Sequence, residues 1–356
     1  MNTTASPETQ VLARALPKVL LHEHLDGDLR VATLLELLAQ QKLASPAPDV
    51  ASLAAWFERN AHAGSLEKYL QGFGLTVAAM ATPAAMERVA FEAAEDAGAQ
   101  GAVLAEFRIA PLLFETFGVS GEAAVEALLA GLAKSPLPLG THSGLIVCAM
   151  RHLPPEQTDR AAALALKYQG QGVIGFDLAG PEWGFPPDAH GHALARVRDA
   201  GLALTLHAGE ADGAERVLQA ARLGAARVGH GVRLVDALGD PALADWVDEV
   251  KARGLHLEVC PTSNVHTGAA TSIATHPITA LWRAGVSLSY HTDNTLMSCI
   301  THSDEAAALL TQTPLTASDL VKMALQAAQH SFLAPSARAA AQAEIHRRAM
   351  GLGVAV

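Results

Sequence analysis

Leu202-Ala203-Leu204-Thr205-Leu206-His207-Ala208-Gly209-Glu210 is an apolar run that stops at an imidazole, a glycine turn and a carboxylate. A segment with helical spacing, Gly213 to Leu223, follows it. The apolar run reads as a buried strand and the following segment as a helix, so the stretch reads as one β-α unit. The same unit recurs along the chain. Apolar runs stand at Val19–His24, Ala102–Ile109, His142–Ala149, Val173–Leu178, Leu202–His207, Ala226–His230, Leu255–Cys260 and Val286–Thr292. Helical segments lie between them at Ala84–Ala99, Glu122–Lys134, Pro155–Gln169, Ala189–Ala200, Gly213–Leu223 and Pro241–Arg253. Eight strands, most followed by a helix, are the count of an α/β fold of the (β/α)8 TIM barrel type. An open doubly wound sheet is the alternative, but no G-x-G-x-x-G follows the first strand to support it.

The chain has 356 residues, enough for one large domain or two medium ones. No low-complexity linker divides it, and its softest boundaries, Ala44–Asp49 and Ser135–Pro138, are of loop length. One domain over residues 1–356 is expected. Leu53, Trp56 and Phe57, then Leu66, Tyr69, Leu70 and Phe73, recur at helical spacing, which suggests an amphipathic excursion after strand one at about residues 50–76. Ordinary core packing explains the same spacing.

Half of the residues are hydrophobic and 17% are charged, so a large core can form and global disorder is excluded. The formal net charge of -11 disfavours nucleic acid and anionic membrane surfaces as partners. Cys148, Cys260 and Cys299 lie far apart and form no C-x-x-C pair, which argues against a disulfide framework and fits a reducing, cytoplasmic setting. Met1–Lys18 carries no apolar leader, and the apolar runs are shorter than the ~18 residues of a membrane span. Sixteen histidines in so ordinary a composition raise the question of metal.

The polar residues sit where the strands end: His22-Glu23-His24, Asp177, His207, His230, Glu258 and Asp293. In a barrel these ends converge on the carboxyl face, where such enzymes place their chemistry. His22 and His24, two apart on a strand, point to one side and can meet one ion, or they are a pair of satisfied inward histidines. His207 and Asp293 complete a set of three imidazoles and a carboxylate, which suits zinc or another borderline divalent ion. Such an ion lowers the pKa of a bound water to roughly 7. Asp177-Leu178-Ala179-Gly180 offers no bridging lysine, so one metal is expected rather than two. Glu210 stands where a carboxylic acid can protonate a substrate atom, or it is a surface residue opening a helix. His230 can hold or deprotonate water, or is a core histidine. Glu258-Val259-Cys260-Pro261 reads as structure rather than catalysis, and His256, Cys260 and His266 as packing or surface groups.

The ordered series His22-Glu23-His24-Leu25-Asp26-Gly27, Glu106-Phe107-Arg108, Phe176-Asp177-Leu178-Ala179-Gly180-Pro181-Glu182, His207-Ala208-Gly209-Glu210, Arg227-Val228-Gly229-His230-Gly231, Glu258-Val259-Cys260-Pro261-Thr262-Ser263-Asn264 and Thr292-Asp293-Asn294 closely resembles the adenosine deaminase family, from about Leu16 to Leu333. The resemblance implies a metal-dependent barrel of the amidohydrolase superfamily, with zinc as the usual metal. It implies hydrolysis of the 6-amino group of adenosine or 2′-deoxyadenosine, giving inosine or 2′-deoxyinosine and ammonia. His22, His24, His207 and Asp293 would hold the metal. Glu210 would protonate purine N1, and His230 with Asp293 would orient and deprotonate the attacking water. The Gly180 N–H would meet N3, Asp26 the ribose 5′-hydroxyl and Asn294 N7, while the excursion near residues 50–76 would form an apolar lid.

Two positions depart from a common family pattern. Asn294 and Thr295 replace an aspartate and a proline, and an amide can donate to N7 without first taking a proton. Asp28 stands where small residues are common and would place negative charge near the mouth of the site. A 5′-modified adenosine such as 6-aminodeoxyfutalosine is the alternative substrate. Adenine fits less well, because its deaminases tend to carry Glu at the position of Asp26 and lack Leu178-Ala179-Gly180. A barrel that binds purine or metal without turnover is the alternative of another class, opposed by the presence of both Glu210 and His230. His256-Leu257-Glu258 and Cys260-Pro261 mimic the signature of the other zinc deaminase architecture, but in the wrong order and one thiol short.

Overall fold

The computed structural model describes residues 5–62, 66–134 and 143–356, the side chains of 66–71 excepted. Eight parallel strands follow one another around a single sheet in chain order. They are β1 (Lys18–Leu20), β2 (Ala102–Ile109), β3 (Gly144–Met150), β4 (Val173–Ala179), β5 (Ala203–Ala208), β6 (Arg227–His230), β7 (His256–Val259) and β8 (Leu288–Tyr290). With helices between them, they form the (β/α)8 barrel that the recurring unit predicts. The strands are buried on both faces, which is why they read as nearly continuous apolar runs rather than alternating ones.

The sheet is nearly closed. Between β8 and β1 two backbone hydrogen bonds join the segments that follow the strands: Asp293 N–H donates to the His22 carbonyl at 3.1 Å, and His24 N–H to the Asp293 carbonyl at 2.9 Å. β1 is shorter than its apolar run because Leu21 N–H donates to His291 Nδ1 at 3.2 Å instead of to a neighbouring strand. The chain stays extended beyond that break and bridges Arg108 at His24.

Local chemistry sets the helix boundaries. Thr82 caps Pro83–Ala99 by accepting from Ala85 N–H, and Pro83 occupies the first turn, where no amide donor is needed. Thr301 with Asp304, and Thr316 with Asp319, form capping boxes before helices His302–Gln312 and Ala317–His330. The segments expected at Ala189–Ala200 and Pro241–Arg253 open with 3-10 turns, Pro187–His190 and Pro241–Leu243, before the α-helices Gly191–Asp199 and Ala244–Ala252. Helices Val31–Gln40, Val50–Ala61 and Leu66–Met80 stand between β1 and the Pro83–Ala99 helix. Leu53 and Phe57 are buried there, while the side chains of Leu66, Tyr69 and Leu70 lie outside the described residues. Ala44–Asp49 is a loop, and Ser135–Pro138 and His142 lie outside the described residues.

One buried carboxyl tests the packing. Glu305, on helix His302–Gln312, is fully buried, and its Oε1 accepts from Thr262 N–H at 3.0 Å. Desolvation pushes its pKa up to about 7. A carboxyl raised on folding contributes stability that is present below its unfolded pKa and is lost as pH rises through the folded value. Glu305→Gln is therefore expected to be more stable than the parent by about 1–3 kcal/mol at pH 8. The difference should shrink steadily towards pH 5. Thermal unfolding of both proteins across that range checks it, and a constant difference would place the effect outside the titration of Glu305.

Candidate active site

The site rests on a layer of charges sealed inside the barrel. Arg108 of β2 donates to Asp177 Oδ2 at 2.9 Å and Glu258 Oε2 at 2.6 Å, and Arg227 of β6 donates to Glu258 Oε1 at 2.6 Å. Arg227 also pairs with Glu106 Oε2 at 2.7 Å. All five side chains have zero exposure. Burial alone would raise the carboxyls, but His207 and Arg108 hold Asp177, and Arg108 and Arg227 hold Glu258, well below the usual carboxylate range.

These carboxylates set the tautomers of the histidines above them. His22 Nδ1 lies 2.9 Å from Glu258 Oε2, and His207 Nδ1 lies 3.0 Å from Asp177 Oδ2. An ionised carboxylate only accepts, so each Nδ1 carries the proton and each Nε2 presents a lone pair. The lone pairs point inward. His22 Nε2 lies 3.2 Å from Asp293 Oδ1 without a hydrogen bond, and His24 Nε2 lies 3.2 Å from His207 Nε2 and 3.5 Å from Asp293 Oδ1. The bare Nε2 of His22 and the Asp293 carboxylate at 3.2 Å repel one another unless a cation lies between them, and the bare Nε2 of His207 faces the same space. The donor set, three nitrogens and one oxygen, fits a divalent metal of the zinc class. His22, His24, His207 and Asp293 are thus brought together. Distance alone also admits His230, for donor atoms of His22, His207, His230 and Asp293 all lie within 4.8 Å of one another.

The backbone is bent to aim these groups. Asp293 and His230 both have φ of +64°, the left-handed region that costs a side-chain-bearing residue about 1 kcal/mol or more. Gly229 leaves the space that the His22 ring needs, since a Cβ there would come within 2.7 Å of His22 Cε1. Ser263 Oγ donates to Asp293 Oδ2 at 2.6 Å and fixes that carboxylate from its far side.

A cavity of about 720 Å³ opens beside the cluster, lined by Asp26, Phe73, Gly180, Glu210, Asp293 and Asn294 among others. Asp26 is buried, its Oδ1 has no hydrogen-bond partner, and desolvation pushes its pKa up to about 6. Glu210 Oε1 accepts from Thr267 Oγ1 at 2.8 Å, and Glu210 Oε2 lies 3.5 Å from His230 Nε2. Glu182 holds the loop that carries Glu210: its carboxylate accepts from the N–H groups of Gly209, Glu210, Ala211 and Asp212 at 2.6–3.0 Å. Asp28 accepts from the Thr295 hydroxyl and is not among the cavity-lining residues, so the charge expected at the mouth is turned aside.

Residues 17–348 match the family model described as adenosine deaminase. The adenosine deaminase of Mycobacterium tuberculosis (strain ATCC 25618 / H37Rv) is 41% identical over 342 residues, covering 93% of each chain. The chain belongs to the adenosine deaminase family. Two solved structures share the fold. A zinc-bound amidohydrolase from Burkholderia ambifaria has a TM-score of 0.83, 24% identity and 99% and 98% coverage of the two chains. An Arabidopsis ADAL complexed with IMP has a TM-score of 0.82, 23% identity and 95% and 98% coverage. Family membership makes this chain a metal-dependent hydrolase of carbon–nitrogen bonds, the class of reaction that the ordered motifs imply.

Residue-by-residue reading left the supports of the adenosine deaminase site without roles. Asp177 stands out in the sequence only as a polar strand end, Arg108, Glu182 and Asn264 only as members of motifs, and Glu258 as a structural residue. For Arg108, Asp177 and Glu258 the available signal is charge inside an otherwise apolar strand run, which burial makes costly unless it is paired. Glu258→Gln is expected to weaken metal retention about 10–100-fold by releasing the His22 proton from its acceptor. Competition with a chelator measures it, and unchanged affinity would leave Glu258 a purely structural ion-pair partner.

Proposed function

We propose that this chain deaminates adenosine and 2′-deoxyadenosine hydrolytically, with one zinc ion held by His22, His24, His207 and Asp293. The observation that carries the substrate assignment is Asp26: a buried carboxyl on the cavity wall with one oxygen lacking a partner, suited to accept from a sugar hydroxyl. A second anion brought against it, as in a nucleotide phosphate, would be repelled. A zinc ion at the cluster supplies the acidity that makes water a nucleophile near neutral pH.

The chain's own groups handle the protons. An aromatic amidine is a poor electrophile until N1 is protonated, and Glu210, a carboxyl lining the cavity, is the group we assign to supply that proton. As the water oxygen bonds to C6, Glu210 releases its proton to N1, while Asp293 and His230 hold the water against the ring and Asp293 takes one of its protons. That proton moves to the amino group, the C6–N bond breaks and ammonia leaves. The remaining hydroxyl proton returns to Glu210, so C6 becomes a carbonyl, N1 keeps its hydrogen and the enzyme is restored. Gly180, at φ +95° on the cavity wall, would offer its N–H to N3, and Asn294 would supply an amide donor for N7. Phe73 and Val77, from helix Leu66–Met80, line the same cavity and exclude water from the sugar side. A 5′-substituted 6-aminopurine nucleoside is the second reading, favoured by a cavity in the upper part of the small-molecule range.

Glu210→Gln is expected to keep its metal while turnover falls about 10²–10⁴-fold. Metal analysis beside steady-state kinetics tests it, and full activity would remove Glu210 from N1. Ammonia release from adenosine, deoxyadenosine, adenine, 5′-modified adenosines and AMP ranks the substrates. In that panel Asp26→Ala should reduce kcat/KM for adenosine far more than for adenine. Equal losses would take Asp26 out of the ribose pocket.

A further inference from the structure

A chain of hydrogen bonds behind the cavity ends on both of the side chains assigned above to proton handling. It starts at a backbone group. Ile278 N–H donates to His276 Nδ1 at 3.1 Å, so His276, neutral in its buried setting, carries its proton on Nε2. His276 Nε2 lies 3.3 Å from the side-chain oxygen of Asn264, which is the only atom of that amide able to accept the proton. The orientation of Asn264 is thereby settled by a main-chain donor two links away. Its nitrogen then faces forward, 3.1 Å from His230 Nδ1 and 3.4 Å from Glu210 Oε1. An amide nitrogen has two hydrogens, and this one directs one to each residue. Asn264 is fully buried, His276 is 3% exposed and His230 1%, so water does not compete for these bonds.

We infer that Asn264 and His276 are positioning residues that jointly set the tautomer of His230 and the proton-bearing oxygen of Glu210. With Nδ1 occupied as an acceptor, neutral His230 carries its hydrogen on Nε2, the nitrogen 3.5 Å from Glu210 Oε2. His230 therefore presents a donor to the reacting oxygen, not a lone pair, and it is also withheld from the metal despite its distance. Glu210 Oε1 is already filled by Thr267 and Asn264, so the proton that Glu210 delivers rides on Oε2. One buried amide thus fixes which atom carries the proton in two neighbouring groups. An aspartate at 264 would have the same shape and reverse the logic, since it would accept from His230 Nδ1 and repel the carboxylate of Glu210.

The inference rests on the proton-handling roles of Glu210 and His230, but its first test is independent of substrate. In the zinc-loaded enzyme labelled with 15N-histidine, long-range ring couplings should report His230 with a pyridine-type Nδ1 and a pyrrole-type Nε2. The reverse pattern in the parent enzyme overturns the proposal without any variant. Asn264→Asp should invert the pattern and lower kcat about 100-fold, with KM for the substrate found in the ammonia panel within about 3-fold. His276→Leu frees the amide to flip and should lose about 10-fold, whereas His276→Gln, which keeps a donor, should recover part of that loss. Coupling completes the test: in a His230→Ala background Asn264→Asp should cost clearly less than in the parent, the remaining cost coming from its contact with Glu210. Equal costs in both backgrounds, or parent-like ring patterns in both Asn264→Asp and His276→Leu, would assign the two residues to packing alone.

Discussion

Everything at the carboxyl end of this barrel depends on how two buried carboxylates, Glu258 and Asp177, are kept charged. Neither could stay ionised in a water-free interior alone. Arg108 spans both, and Arg227 completes the second side of Glu258. Once charged, each can only accept hydrogen bonds, and that restriction turns the lone pairs of His22 and His207 towards the cavity. Removing one member of such a layer would leave an uncompensated charge inside the barrel, which is why the layer is built as a network rather than as separate pairs.

The same face of the barrel holds the local strain and the unusual backbone. His230 and Asp293 take left-handed backbone conformations at the ends of β6 and β8, and the β8–β1 seam is closed through His22, His24 and Asp293. Closing the sheet and assembling the cation site are therefore one structural event. The loop after β5 follows a related principle. Four consecutive amides converge on Glu182, so the loop carrying Glu210 is ordered by a carboxylate from the neighbouring β4 loop. Shape at the site is imposed by polar groups that contact no substrate.

Much of this was legible in the order of residues. The recurring apolar run and helical segment predicted eight strands, and β2, a largely apolar strand that carries Glu106 and Arg108 in its second half, matches its expected span. The strands nearest the site, β1 and β8, proved shorter than their runs because side chains and bridges replace ladder bonds there. The period-two spacing of His22 and His24, and the chemical kinds of His207, Glu210 and Asp293, marked the residues that meet. Asn264 was marked only as the last residue of a motif, and His276 not at all, because an amide on a short helix and an imidazole in a loop look like surface polarity until burial and direction are known.

Sequence by itself determined the repeating unit, the residue types at the strand ends and, through the ordered motifs, the family. Those properties are local: a strand run, a turn glycine and a ligand are each written in a few consecutive positions. Tertiary structure alone decided which nitrogen of each imidazole bears the proton, where the Glu210 carboxyl is held and which carboxylates support the cation site. These depend on contacts between residues as far apart as His22 and Glu258 or Asn264 and Glu210, and proton positions follow from the geometry of donors and acceptors rather than from their identity.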